Sequence, residues 1–312
     1  MNSAQLAFVF PGQGSQKVGM LADIAAAYPI VSDTFSEASD ALGYDMWSLI
    51  QAGPQEELNL TEKTQPILLT SSVALWRVWQ QRSGLKPSVL AGHSLGEFSA
   101  LVCADALNFT DAVKLVRARG QFMQTAVPVG EGAMAAVLGM DDEQLIQICR
   151  EASAQGGVVE AVNFNSPGQV VIAGTVAAVD KAIELCKAAG SKRALPLPVS
   201  APFHTSLMRP AGEKLRAAMA DLNFSTPSIP VVHNVNAKPE SDPEKIKTIL
   251  FEQIFSPVLW SDCVAYIAQQ GITTAVECGP GKVLGGLIKR IDKSVNCFSI
   301  EDSAGLDAAL SI

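Results

Sequence analysis

Ser94 sits in Gly92-His93-Ser94-Leu95-Gly96, behind the apolar run Val89-Leu90-Ala91 and directly ahead of a helical pattern. A sharp strand-to-helix turn of this kind lifts a serine hydroxyl clear of a sheet edge, and the helix N-terminus beneath it favours developing negative charge. The competing reading is a glycine-rich helix start with Ser94 as capping residue, which leaves a glycine on each side unexplained. A serine nucleophile needs a base within hydrogen-bond reach. The chain has three histidines. The His93 side chain should leave the turn in another direction and suits a supporting or packing role. His233 ends an apolar strand and reads as structural, so His204, beside Pro202 and Phe203, is the best-placed candidate. A hydrolase acid would fall between serine and histidine. The aspartates of that interval (105, 111, 141, 142 and 180) lie in helices or at helix starts, so a Ser-His dyad oriented by a carbonyl is expected.

Arg119 follows on the next helix but one. Facing Ser94, its fork would hold a substrate carboxylate; facing outward, it would be an ordinary surface arginine. Arg117, two positions away, points elsewhere on the helix, so at most one of the pair belongs to a site. An oxyanion needs two donors. The Leu95 backbone N–H is the first, and Gln13 in the loop Pro11-Gly12-Gln13-Gly14 is placed to give the second.

These residues need a sheet to position them. Leu6 to Phe10 reads as a buried strand whose glycine-rich loop lies where open α/β sheets bind ligands, and the loop does not match a phosphate-binding pattern. Ile67 to Gln81 reads as a long, mostly apolar helix with Pro66 at its start, and Trp76 and Trp79 as core residues. Between Ala133 and Leu197 the order β-α-β-β-α-β marks a split βαβ, ferredoxin-like unit. The fold expected is α/β: a hydrolase-like parallel-sheet core domain at 1–128 and 199–312, with an inserted ferredoxin-like subdomain at 129–198. The last element assigned is a helix over Val283 to Ile291.

The composition narrows the function classes. Of 312 residues, 48% are hydrophobic and 17% charged, which suits a well-buried globular chain. A net charge of -8 argues against bulk binding of nucleic acid or anionic membrane. The six cysteines lack metal-ligand or CxxC spacing and read as buried thiols in a reducing compartment, and no metal site is expected. Met1 to Leu6 has no basic leader region and no apolar run is long enough to span a bilayer, so a cytoplasmic location is expected.

Six stretches together resemble the malonyl-CoA:acyl carrier protein transacylases of bacterial type II fatty acid synthesis over essentially the whole length. They are Phe10 to Gln16, Gly92 to Glu97, Arg119 with Met123, Asn163 to Gln169, Pro202-Phe203-His204 and Glu277 to Gly281. The resemblance implies that Ser94 is the acylated nucleophile and His204 its base. It gives Arg119 to the malonyl carboxylate and the backbone N–H groups of Gln13 and Leu95 to the oxyanion. The Gln253 backbone carbonyl would orient the histidine, and Asn165 would line the cleft from the subdomain. A bulky Phe203 resembles the malonyl-selective members. A ping-pong transfer from malonyl-CoA to holo acyl carrier protein is implied, with no bound cofactor and a monomeric enzyme. A polyketide pathway and, further off, a serine thioesterase are the alternatives. The absence of an attached carrier or synthase domain before Ile312 favours a discrete enzyme. Lys192-Arg193 and Lys289-Arg290 are candidate docking cations for the acidic carrier, against the default of solvated charge pairs.

Overall fold

The computed structural model describes residues 5–311; the residues Met1 to Ala4, part of the leader argument, lie outside it. Among the described residues the strands are β1 (Leu6–Phe10), β2 (Val89–Gly92), β3 (Gly132–Leu138), β4 (Val159–Ser166), β5 (Gln169–Thr175), β6 (Arg193–Pro196), β7 (Val231–Val232), β8 (Thr274–Glu277) and β9 (Asn296–Ser299). They form two sheets. The larger is parallel throughout, in the order β7-β2-β1-β8-β9. Every residue of β1 is buried, because the strand is central and covered on both faces. Phe8 and Phe10 enter one apolar cluster, while Ala7 and Val9 enter the cluster on the opposite face. Phe8 packs edge-on against both Trp76 and Trp79, with ring centroids 5.1 Å away in each case.

The register aligns Phe10 with Gly92 and Val9 with Glu277, so three loops leave one edge of the sheet together. Beneath that edge runs the helix Thr61–Arg82, which begins six residues earlier than the apolar pattern predicts and holds Pro66 in its interior. Its first turns carry buried polar residues, so no apolar period marks them. Thr64 Oγ1 donates to the Leu58 carbonyl at 2.6 Å and Thr61 Oγ1 to Gln124 Oε1 at 3.1 Å. These tertiary bonds extend the helix past the one ladder bond that proline removes.

The smaller sheet is antiparallel, in the order β4-β5-β3-β6, which is the ferredoxin-like arrangement expected. Its faces divide residue by residue. Ala135, Val137, Val159, Val170 and Ile172 pack under the helices Asp142–Ala154 and Val176–Ala188. Met134, Val162, Val171 and Ala173, one position along, join the core of the larger unit. Backbone bonds seal the joint: Phe164 N–H donates to the Val258 carbonyl at 3.0 Å, and Val258 N–H to the Val162 carbonyl at 2.8 Å. The chain closes with two elements beyond the sequence reading, β9 and the helix Ser303–Leu310.

Candidate active site

Ser94 holds the turn between β2 and the helix Leu95–Cys103 with φ 50° and ψ −103°, outside the regions open to an ordinary side chain. Such a conformation costs about 1–3 kcal/mol and persists only where its surroundings enforce it. Here Asn234 does so: its Oδ1 accepts the Ser94 N–H at 2.7 Å and its Nδ2 donates to the Gly92 carbonyl at 2.7 Å. The flanking glycines are steric requirements. A Cβ on Gly92 would lie 1.9 Å from the Gly96 carbonyl carbon, and one on Gly96 would lie 2.1 Å from the Phe10 carbonyl oxygen. Ser94 occupies the capping position of its helix, yet its side chain makes no capping bond. The hydroxyl faces His204, with Oγ 2.8 Å from Nε2.

His204 is itself in a left-handed conformation, φ 64°, in the loop after β6. Its Nδ1 lies 2.8 Å from the backbone carbonyl of Gln253, at the end of the helix Pro243–Gln253. That carbonyl requires Nδ1 to carry the proton, which leaves Nε2 free to accept one from serine. Burial, joined by the Arg119 guanidinium, pulls the His204 pKa down to about 3, so the imidazole is a neutral base at physiological pH.

Arg119 is 1% exposed, on the helix Phe109–Gln124. Nη1 donates to Gln65 Oε1 at 2.8 Å; Nη2 donates to Gln253 Oε1 at 2.8 Å and to Ser94 Oγ at 3.1 Å. Burial lowers its pKa and the Glu97 carboxylate opposes that shift, so the group stays cationic at neutral pH. Its Nε–H is buried without a hydrogen-bond partner among the described residues. Arg117 points away, donating to the Leu42 carbonyl at 3.2 Å and stacking near Tyr44.

Leu95 is the first residue of its helix, so its N–H has no partner in the helical ladder. Gln13 lies in the loop after β1, beside the elbow, where the His93 N–H donates to the Phe10 carbonyl at 3.0 Å. The Gln13 side chain reaches Thr61 Oγ1 at 3.3 Å. His93 reaches across to β4, its Nε2 2.8 Å from Asn165 Oδ1, and burial lowers its pKa. Phe203 packs into the main apolar cluster next to His204. Nucleophile, base and cation therefore meet at one oxygen, an arrangement able to form an acyl ester next to a bound anion.

Three residues of this constellation escape the sequence reading: Gln65, Glu97 and Asn234. Glu97 is fully buried, with Oε1 2.7 Å from His233 Nδ1. One signal for it was present: it is the lone charge in the otherwise apolar helix Leu95–Cys103. His233 does have the structural place expected of it.

Comparison with known proteins agrees with this geometry. The family model described as an acyl transferase domain matches residues 7–306. A malonyl CoA-acyl carrier protein transacylase of Salmonella typhimurium is 59% identical over 98% of this chain and 99% of its own. That of Bacillus subtilis is 45% identical over 98% and 96%. Among solved structures, an acyl carrier protein S-malonyltransferase of Vibrio cholerae superposes with a TM-score of 0.96 at 57% identity, covering 98% of this chain and 99% of that one. A malonyl-transacylase solved with its type II polyketide acyl-carrier protein gives 0.97 at 53% identity, covering 98% and 99%. The chain belongs to the malonyl CoA-acyl carrier protein transacylase family.

Proposed function

We propose that this chain transfers a malonyl group from malonyl-CoA to the phosphopantetheine thiol of acyl carrier protein, through a malonyl ester on Ser94. The activities for which its relatives are named support the reading. The observation that carries it is the cation beside the nucleophile: Arg119 Nη2 stands 3.1 Å from Ser94 Oγ, and the adjoining Nε–H lacks an acceptor. A malonyl group sets its carboxylate carbon only about 2.5 Å from the carbonyl carbon under attack, two carbon–carbon bonds away. A short dicarboxylic thioester therefore places its charge on Arg119 while its carbonyl meets Oγ.

In this reading His204 Nε2 takes the Ser94 proton as Oγ bonds to the thioester carbon. The N–H groups of Gln13 and Leu95 hold the tetrahedral oxyanion, with Leu95 adding the positive end of its helix. The carbon–sulfur bond then breaks, and the leaving thiolate takes the proton from His204. The carrier thiol repeats the steps in reverse, giving its proton to His204 and its sulfur to the acyl carbon while Oγ departs reprotonated. His93 and Asn165 brace the elbow against β4, and Phe203 closes the cleft against larger acyl groups.

The enzyme is taken to act as a cytoplasmic monomer without a bound cofactor, with 129–198 as the inserted subdomain between 1–128 and 199–312. All six cysteines are free thiols, five of them buried. No described helix is long and apolar enough to cross a membrane. Incubation with malonyl-CoA and holo carrier protein should yield malonyl carrier protein, and Arg119→Ala should lower the ratio of malonyl to acetyl transfer. Free malonate as the main product, or an unchanged ratio, would overturn the reading. A polyketide carrier is the second acceptor to test, on the strength of the similar malonyl-transacylase solved with one.

A further inference from the structure

Among the described residues no acid touches His204, yet a carboxylate stands one amide further out. Glu97 is 0% exposed, and Glu97 Oε2 accepts the Asn234 backbone N–H at 2.9 Å and Gln253 Nε2 at 3.0 Å. Gln253 gives its other groups to the reacting residues. Its Oε1 accepts from Arg119 Nη2 at 2.8 Å, its Nε2 also donates to the Ser94 carbonyl at 3.0 Å, and its backbone carbonyl faces His204 Nδ1 at 2.8 Å. These partners decide the amide's orientation. The opposite orientation would set an NH2 group against a guanidinium, donor facing donor, and an oxygen against the carboxylate and the Ser94 carbonyl.

We propose that Glu97 is a positioning residue of the transfer reaction: by fixing the Gln253 amide it aims the Arg119 fork at the acyl group held next to Ser94. Glu97 thus has the orienting task that an acid performs in a hydrolytic triad, but directs it to the carboxylate-binding cation as well as to the dyad. It also supplies a negative charge near a buried guanidinium that has no directly bonded carboxylate. A carboxylate serves here because it offers acceptors only. A glutamine could imitate it in one way, with its oxygen toward Asn234 and Gln253 and its NH2 toward His233. The histidine can meet that change, since its Nε2 has no partner and is free to carry the ring proton.

The inference rests on the malonyl reading above, and the experiment separates the two. Acylation of Ser94 by malonyl-CoA and by acetyl-CoA is followed by rapid quench for the parent, Glu97→Ala, Glu97→Gln and Gln253→Leu. Loss of a hydrogen bond to a charged group corresponds to about tenfold or more. Glu97→Ala and Gln253→Leu should therefore each lower the malonyl-to-acetyl ratio of kcat/KM by about tenfold, because acetyl does not use the fork. Glu97→Gln should restore the ratio to within about threefold of the parent, consistent with retained amide orientation. A carboxylate with only a folding role would depress both substrates by one factor and leave the ratio unchanged, and that result overturns the proposal. Should Glu97→Ala be unfolded by circular dichroism, Gln253→Leu decides, since it keeps the backbone carbonyl against His204; an unchanged ratio there overturns the relay. A parent with no malonyl preference overturns the malonyl reading and this inference with it. A preference that survives in folded Glu97→Ala overturns the relay alone.

Discussion

Replacing Asn234 with alanine should release the strained turn that presents the nucleophile. The asparagine is fully buried and satisfies two backbone groups of the elbow, the Ser94 N–H and the Gly92 carbonyl, both at 2.7 Å. Each group left buried and unpaired costs about 1–3 kcal/mol, so the pair is worth about 2–6 kcal/mol. Water entering the vacated space would recover part of this, and about 3 kcal/mol is the expected loss. The activity should fall further than stability alone implies. Without its staple, Ser94 is free to relax from φ 50°, which moves Oγ off the line to His204, and a displacement of about 1 Å costs about a hundredfold. Guanidinium chloride titration measures the first quantity, and a rapid-quench mass assay of Ser94 acylation by saturating malonyl-CoA measures the second. Asn234→Asp separates the two bonds: it keeps an acceptor for Ser94 but turns an oxygen toward the Gly92 carbonyl, and should destabilise at least as much as alanine. An Asn234→Ala protein within about 0.5 kcal/mol of the parent, acylating within about threefold of its rate, would refute the view that this side chain enforces the elbow.

Two further outcomes follow from charge. The His204 pKa is lowered in the folded state to about 3, while the unfolded chain takes up that proton near 6.5; folding therefore loses stability as pH falls through this window, by up to about 1.4 kcal/mol per pH unit. Urea titrations from pH 7 to 4 should show this slope in the parent and its reduction in His204→Asn; equal slopes would contradict a neutral buried imidazole. The cations Lys192, Arg193, Lys289 and Arg290 are exposed, and Arg290 reaches Gln169 in β5. Alanine at all four should raise KM for the acidic carrier protein and leave that for malonyl-CoA unchanged, whereas equal effects on both would remove them from the docking surface.

What the sequence made legible was local. The Ser94 elbow, the central strand β1 and the β-α-β-β-α-β order each declare themselves within a few residues or a simple period. Arg119 could be singled out because charges are few, though not aimed. Its partners Gln65 and Gln253 lie 54 and 134 residues away, and Gln253 meets the Ser94 carbonyl across 159. No spacing rule spans such distances, so the polar frame that holds the dyad becomes visible only in three dimensions. The helix start at Thr61 was hidden for a related reason: tertiary bonds, and not an apolar stripe, secure it. The strand β9 is short and only half-buried on the sheet edge, which leaves little alternation to detect.

The seam between the two sheets has a consequence for traffic through the cleft. Besides the paired backbone bonds at Val258, Glu160 on β4 grips the loop just past His204, accepting the Ser206 N–H at 2.8 Å and its hydroxyl at 2.7 Å. Four hydrogen bonds thus tie the small sheet to the large unit beside the base, and it forms one wall of the cleft. Donor and acceptor must then be threaded to Ser94 as slender arms, one after the other, while the bodies that carry them wait outside. Selection of the acceptor becomes a question of reach: a thiol on a long tether arrives at the ester, and a thiol held close to a folded surface does not.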